Sequence, residues 1–114
     1  MKIVFTAKGS NWESEIDPRF GRAVFLLVFD DETGNLKAFD NTELADQAHG
    51  VGPKVVEKIF EMGAGALVTG NGPGNNAAVI MKKSGIKTFV GAEGMTISDA
   101  YDAYKKGILK EFYY

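Results

Sequence analysis

The sequence predicts an α/β domain in three layers, α/β/α, with helices on both faces of a five-stranded mixed sheet. Three observations predict it. Beyond Gly50, short β-rich runs alternate with runs of helical period, and such alternation implies parallel strands joined by helical crossovers. Before Gly50, the nearly unbroken apolar run Ala23 to Phe29 is followed by a polar, glycine-bearing loop and a second β-rich run, which predicts an antiparallel hairpin on the same sheet. The length of 114 residues, 45% hydrophobic and 25% charged, suits a single domain over 1–114. A core of this size buries roughly 65% of the unfolded surface. No internal repeat or low-complexity linker divides the chain.

Lys2 to Ala7 is the first strand, and Lys8-Gly9-Ser10 turns the chain out of it. A polar stretch then reaches Asp17-Pro18, where proline disfavours helix at Asp17. The second strand covers 23–30 and, being apolar without alternation, is expected to be buried on both faces. Asp30 to Asn35, with Gly34, is the hairpin loop, and 35–40 returns antiparallel. The helix at 50–62 puts Val51, Val55, Val56, Ile59 and Phe60 on one face, with Pro53 in its first turn and Gly63 at its stop. A strand at 66–70 leads through Asn71-Gly72-Pro73-Gly74-Asn75-Asn76 into a helix at 75–84, stopped by Gly85. A strand at 87–90 follows. The last helix, 97–106, opens on Thr96-Ile97-Ser98-Asp99, a capping box in spacing with Asp in the Glu position. It carries Asp99 and Asp102 early and Lys105 and Lys106 late, as the helix dipole favours, and ends at Gly107.

Composition excludes several function classes. There is no cysteine, which removes disulfides, thiolate metal sites and cysteine nucleophiles together and fits a reducing compartment. The start Met-Lys-Ile-Val-Phe lacks a signal-peptide layout, and no apolar stretch approaches the ~20 residues of a membrane span. A cytoplasmic protein with no membrane partner is expected. The formal net charge of −2 does not favour nucleic acid as a partner. Catalysis finds little support. One histidine leaves no Ser-His-Asp order, and Ile3-Val4-Phe5-Thr6 lacks the carboxylates of a two-metal nuclease. Gly70 to Gly74 is not followed by the Lys-Ser/Thr of a P-loop.

In open α/β sheets, ligands bind beyond the carboxyl ends of the parallel strands. Those ends are Lys8-Gly9-Ser10, Gly70 to Asn76, and Gly91-Ala92-Glu93-Gly94. All are glycine-rich, so backbone N–H groups can approach a ligand closely. The middle loop enters a helix N-terminus, where unpaired N–H groups and the dipole favour an anion. The plainer reading is a tight turn with Asn75 or Asn76 as helix cap. His49 stands before Gly50 at the mouth of a helix, as a ligand contact or as a structural, solvent-facing residue. Arg19 and Arg22 flank Phe20-Gly21. They form either a cationic lip, which Lys8 extends, or a turn in which Arg22 pairs with Asp17. Trp12 is either a lid or a loop anchor. The expected anion-binding residues are Lys8, Arg19, Arg22, His49, Asn71, Gly72, Gly74 and Asn75, with no dedicated metal ligands.

Three segments in combination resemble a known family. Ile16-Asp17-Pro18-Arg19-Phe20-Gly21-Arg22-Ala23, Ala48-His49-Gly50-Val51-Gly52 and Thr69-Gly70-Asn71-Gly72-Pro73-Gly74-Asn75 are similar to the dinitrogenase iron–molybdenum cofactor biosynthesis family. That family includes NifX, NafY, the C-terminal part of NifB and the molybdenum–copper orange protein, and the likeness covers nearly the whole chain. The resemblance implies a ribonuclease H-like fold without nuclease activity. It also implies binding or carriage of an iron–molybdenum–sulfur or molybdenum–copper–sulfur cluster or precursor. The matching positions are Arg19, Arg22, His49 and the Asn71–Asn75 loop, and the implied partners are cluster-assembly or nitrogenase-like proteins. Gly94-Met95-Thr96 departs from the Gly-Thr-Val expected at the last loop.

A sulfide-rich cluster is a large anion. A chain without cysteine would hold it reversibly, through N–H groups, arginines, lysine and imidazole, as suits a non-catalytic carrier. The alternatives are a small regulatory or interaction domain that binds a nucleotide or phosphate metabolite at the same sheet edge, and an enzyme with an unrecognised site.

Overall fold

The computed structural model describes residues 1–48 and 50–113. Strand β1 (Lys2–Ala7) lies inside the sheet, and Ile3 to Ala7 are all buried because both faces are covered. On one side, β2 (Phe25–Asp30) pairs antiparallel with β1, and β3 (Asn35–Asp40) pairs antiparallel with β2. On the other side, β4 (Ala64–Val68) and β5 (Lys87–Val90) follow in parallel, and β6 (Lys110–Phe112) closes the edge antiparallel. The order is β3-β2-β1-β4-β5-β6.

The mixed sheet is as expected, but it has six strands rather than five. β6 is three residues long, too short for alternation to register in sequence. Pairing of Val90 with Lys110 and of Thr88 with Phe112 makes it a strand. The single turn α1 (Thr42–Ala45) was equally invisible to a periodicity argument. β2 starts at Phe25 rather than Ala23, and β4 covers 64–68 rather than 66–70.

Helices α2 (Val51–Glu61) and α3 (Asn75–Ser84) cover one face of the sheet, and α4 (Ile97–Lys105) covers the other. Strand alternation divides the core between them. Val4, Leu26, Val28 and Leu67 meet Val55, Val56, Ile59 and Met81, while Ile3, Phe5, Leu27, Ala66 and Val68 meet Ile97, Ala100 and Ala103. Burying each large side chain contributes about 1.5–3 kcal/mol, which is what holds three layers together. Gly63 and Gly85, at φ 76° and 77°, take the left-handed conformation that stops α2 and α3. Both helices run back against the parallel strands, so both begin at one sheet edge. Among the described residues no helix is long and apolar enough to cross a membrane.

Candidate functional site

The three glycine-rich loops do not share one site. The loop after β1 and the loop after β5 tie to each other. The Ile16 N–H donates to the Met95 carbonyl (2.9 Å), the Ile97 N–H to the Ser14 carbonyl (2.8 Å) and the Ser98 N–H to the Trp12 carbonyl (3.0 Å). Thr96 Oγ1 accepts from the Asp99 N–H at 3.1 Å, the cap expected from its sequence. The first N–H groups of α4 are thereby satisfied and are not available to a ligand. Trp12 is an anchor rather than a lid, with its ring 5.0 Å from Phe29 and 5.9 Å from Tyr101. Lys8 lies 3.6 Å from Glu15 on this loop, in a surface hollow with Gly9, Glu13 and Ser14.

A separate cleft opens where α2 and α3 begin. It has a volume of about 390 Å³, and its lining includes Gly21, Arg22, Gly52, Gly72, Gly74 and Asn75. Neither helix has a side-chain cap: α2 starts from Gly50 at φ 71°, and α3 starts from Gly74. The first bond inside α3 runs from the Ala78 N–H to the Gly74 carbonyl (2.8 Å). The N–H groups of Asn75, Asn76 and Ala77 therefore precede it without an intrahelical partner, and α2 adds those of Val51 and Gly52, Pro53 having none. Two positive helix ends meet at one cleft. Arg22 is the one charged side chain among the described residues that line it.

Small residues make this convergence possible. A Cβ on Gly52 would lie 3.1 Å from the Ala77 Cβ, and one on Gly21 would lie 3.2 Å from Val51 Cγ1. At Gly70 it would lie 2.6 Å from Pro18 Cα, and at Gly72 it would enter the Phe112 ring. Glycine at these four positions lets the two helix starts, the loop after β4, the segment 16–23 and the Phe112 ring of β6 close on one another.

That segment acts as a stitch. Asp17 is fully buried, and its carboxylate accepts from Arg19 through the backbone N–H (3.1 Å), Nε (3.0 Å) and Nη2 (2.9 Å). Burial pushes the Asp17 carboxyl up. The hydrogen bonds and charge of Arg19, with a backbone bond from Val24, outweigh that and hold it below the usual carboxylate range. The partner of Asp17 is thus Arg19, not Arg22. The Thr6 hydroxyl donates to the Asp17 carbonyl (2.7 Å) and contacts the Thr69 hydroxyl (2.7 Å), tying β1 to the end of β4. The Pro18 carbonyl accepts from the Asn71 N–H at 2.9 Å. Phe20 is buried under the cleft. Arg22 reaches across to the carbonyls of Ala45 (2.7 Å), Gln47 (2.9 Å) and, more weakly, Ala48 (3.5 Å), pinning the chain that leads into α2.

The family model for the dinitrogenase iron–molybdenum cofactor matches residues 1–107. The chain belongs to the dinitrogenase iron–molybdenum cofactor family. The apo form of the orange protein from Desulfovibrio gigas is similar in structure, with 32% identity, 97% of this chain and 92% of that one covered, and a TM-score of 0.91. The solution structure of a NifB-type protein from Thermotoga aligns with 34% identity, 96% and 91% coverage, and a TM-score of 0.83. No curated protein matches the chain.

Within this family member, the structure brings Arg22, Gly72, Gly74 and Asn75 together in the cleft. Lys8 is held at the other loop, Arg19 is turned to Asp17, and Asn71 is tied to Pro18, so none of these three lines it. His49 lies outside the described residues; Ala48 and Gly50, on either side of it, line the cleft. The sequence reading left Gly21, Gly50 and Gly52 out of the site. Their signal was present in the glycines around Val51 and beside Arg22, but their role is close packing, which becomes visible only once two helices meet.

Proposed function

We propose that the protein is a non-catalytic carrier of an anionic metal–sulfur cluster, of the iron–molybdenum or molybdenum–copper type. The cluster is held as cargo in the cleft between the starts of α2 and α3 and handed to cluster-assembly or nitrogenase-like partners in the cytoplasm. One observation carries this reading: two uncapped helix N-termini converge on a cleft with a single cationic and no acidic side chain in its described lining. The donor set fits such cargo. There is no cysteine, and no group of three or more His, Asp or Glu able to hold a metal ion occurs among the described residues. The chain therefore offers N–H groups to the sulfide surface rather than ligands to the metals. Each charge-assisted hydrogen bond contributes roughly 1.5–3 kcal/mol, so two or three support reversible binding after ordering costs. We also read the α/β/α layering as ribonuclease H-like, with the carboxylates of a nuclease replaced in β1 by Lys-Ile-Val-Phe-Thr-Ala.

Titration with tetrathiomolybdate, alone or with copper, followed by visible absorbance, tests the reading. Gly74→Val is the informative variant. A Cβ at Gly74 meets nothing within 4 Å, so the substitution adds bulk to a cleft-lining position whose Cβ has open space around it. Affinity is expected to fall at least about tenfold in Gly74→Val and to fall for the unmodified protein as salt rises. Equal, salt-insensitive binding by both proteins overturns the site. Binding of a nucleotide or inorganic phosphate with no uptake of thiomolybdate overturns the cargo.

A further inference from the structure

The outer face of the α2–α3 layer carries an apolar groove of about 430 Å³ that the cluster reading does not use. Val56, Phe60 and Ile80 line it, with Lys54 and Glu57 on the α2 wall and Lys83 on the α3 wall. Phe60 is 60% exposed, Val79 58% and Ile80 40%, a concentration of apolar surface that marks interaction sites. Glu57 and Lys83 are exposed, and neither forms an ion pair among the described residues.

These two charges stand at matched height. The α2 and α3 helices run parallel to each other, since each returns against the strands to reach a parallel neighbour. They touch where Gly52 meets Ala77. Glu57 lies five residues beyond Gly52 (57 − 52), and Lys83 six beyond Ala77 (83 − 77). At about 1.5 Å of rise per residue, the pair is level to within about 2 Å.

From this we infer that the groove is the interface of a two-fold dimer of this chain. A two-fold axis along the groove lays α2 of each copy over α3 of the other and preserves height. Glu57 of each copy then faces Lys83 of the other, giving two symmetry-related ion pairs around an apolar centre. An isologous interface requires one patch to supply both members of every complementary pair. A groove with Glu57 and Lys83 at equal height on opposite walls, neither in an ion pair among the described residues, meets that requirement; Lys54, the third charged residue of the lining, donates instead to the Gln47 Oε1 at 2.9 Å. A purely acidic or purely basic partner would leave one of the two charges opposed. Both clefts open at the same end of such a pair. The inference uses no side chain assigned to cluster binding and stands apart from that reading.

Sedimentation equilibrium of the full chain from about 10 µM to 1 mM spans the affinities of small interfaces and is expected to show a reversible monomer–dimer equilibrium. Phe60→Glu is expected to abolish it. Glu57→Lys or Lys83→Glu alone places like charges opposite each other twice and is expected to weaken dimerisation at least about fivefold. The double variant Glu57→Lys/Lys83→Glu restores both pairs and is expected to return to within about twofold of the unmodified protein. Circular dichroism confirms that each variant, altered only at exposed positions, keeps its fold. A monomer over the whole range overturns the inference, including one that docks a different protein at this face. So does a dimer indifferent to Phe60→Glu, or a double variant no stronger than the singles.

Discussion

Replacing Arg19 by alanine isolates a carboxylate that water cannot reach. The variant loses the Nε and Nη2 hydrogen bonds of 3.0 and 2.9 Å and keeps the backbone bonds from Arg19, at 3.1 Å, and from Val24. The Asp17 side chain is 0% exposed, whereas that of Arg19 is 58% exposed. Breaking a buried ion pair costs about 3–5 kcal/mol, and exposed pairs are worth about 0–1 kcal/mol. With one partner buried and the other screened by solvent, a loss of about 2–3 kcal/mol is expected.

The pH dependence of this loss follows from the direction of the Asp17 shift. In the unmodified protein the folded carboxyl titrates below its unfolded range. Its contribution is complete above about pH 4 and disappears as acid carries the pH through the folded value. Without the Arg19 side chain, burial, the largest single influence, is opposed only by the backbone bonds from Arg19 and Val24, and the folded carboxyl is expected to rise above the unfolded range. The variant then loses stability as pH climbs from about 4 to 7, so its deficit widens toward neutrality. Urea unfolding followed by circular dichroism at about pH 4.5 and pH 7.5 measures both quantities. A deficit below about 0.5 kcal/mol at neutral pH, the scale of ordinary surface changes, refutes the reasoning. So does a deficit that does not vary with pH. Because Arg19 does not line the cleft, thiomolybdate affinity is expected to stay within about twofold.

Two other substitutions probe how the cleft is built. Gly72→Ala drives a Cβ into the Phe112 ring, so a loss of about 1–3 kcal/mol is expected, with faster amide exchange in β6. Phe112→Leu in the same chain should recover part of the loss, and strict additivity of the two changes counts against the contact. Arg22→Ala releases the carbonyls of Ala45 and Gln47; amides of Asp46 to Ala48 should exchange faster and cluster affinity should fall. Arg22→Lys should recover part of both effects, since the carbonyls of Ala45 and Gln47 are met by the one nitrogen Nη1 and only the weak contact to Ala48 needs a second. Unchanged exchange in that segment would show that Arg22 does not hold it.

Much of the architecture was legible locally. The alternation of strand and helix signals after Gly50, the hairpin at Gly34, the Thr96 cap and the glycine stops of α2 and α3 all rest on interactions within a few residues, and each appears within two residues of its expected place. Two elements escaped because they have no local cause. β6 exists through its pairing with β5, and α1 is a single turn after a buried Asn41 whose amide donates to the Ala23 carbonyl at 2.9 Å. Part of the site was legible for the same reason: glycine before a helix without a capping side chain leaves N–H groups free, and that can be read at Gly74 from the order of residues alone.

By itself, then, the sequence determined the helix and strand types, their stops, and the groups offered to the site: N–H groups at helix starts, no thiolates, few cations. Only the tertiary structure decided which of these parts meet. Three glycine-rich loops looked equivalent along the chain, yet the first and third engage each other through Ile16, Ile97 and Ser98 and leave α4 capped. The cleft instead joins the middle loop to the start of α2, because Gly52 admits Ala77 and Gly21 admits Val51 at close range. Arg22 serves carbonyls more than twenty positions away, while Asp17 turns to Arg19 two positions on. Periodicity and capping depend on neighbours in sequence. The approach of two helix ends depends on side-chain volume at contacts between distant residues, and no local pattern encodes which distant residue will be there.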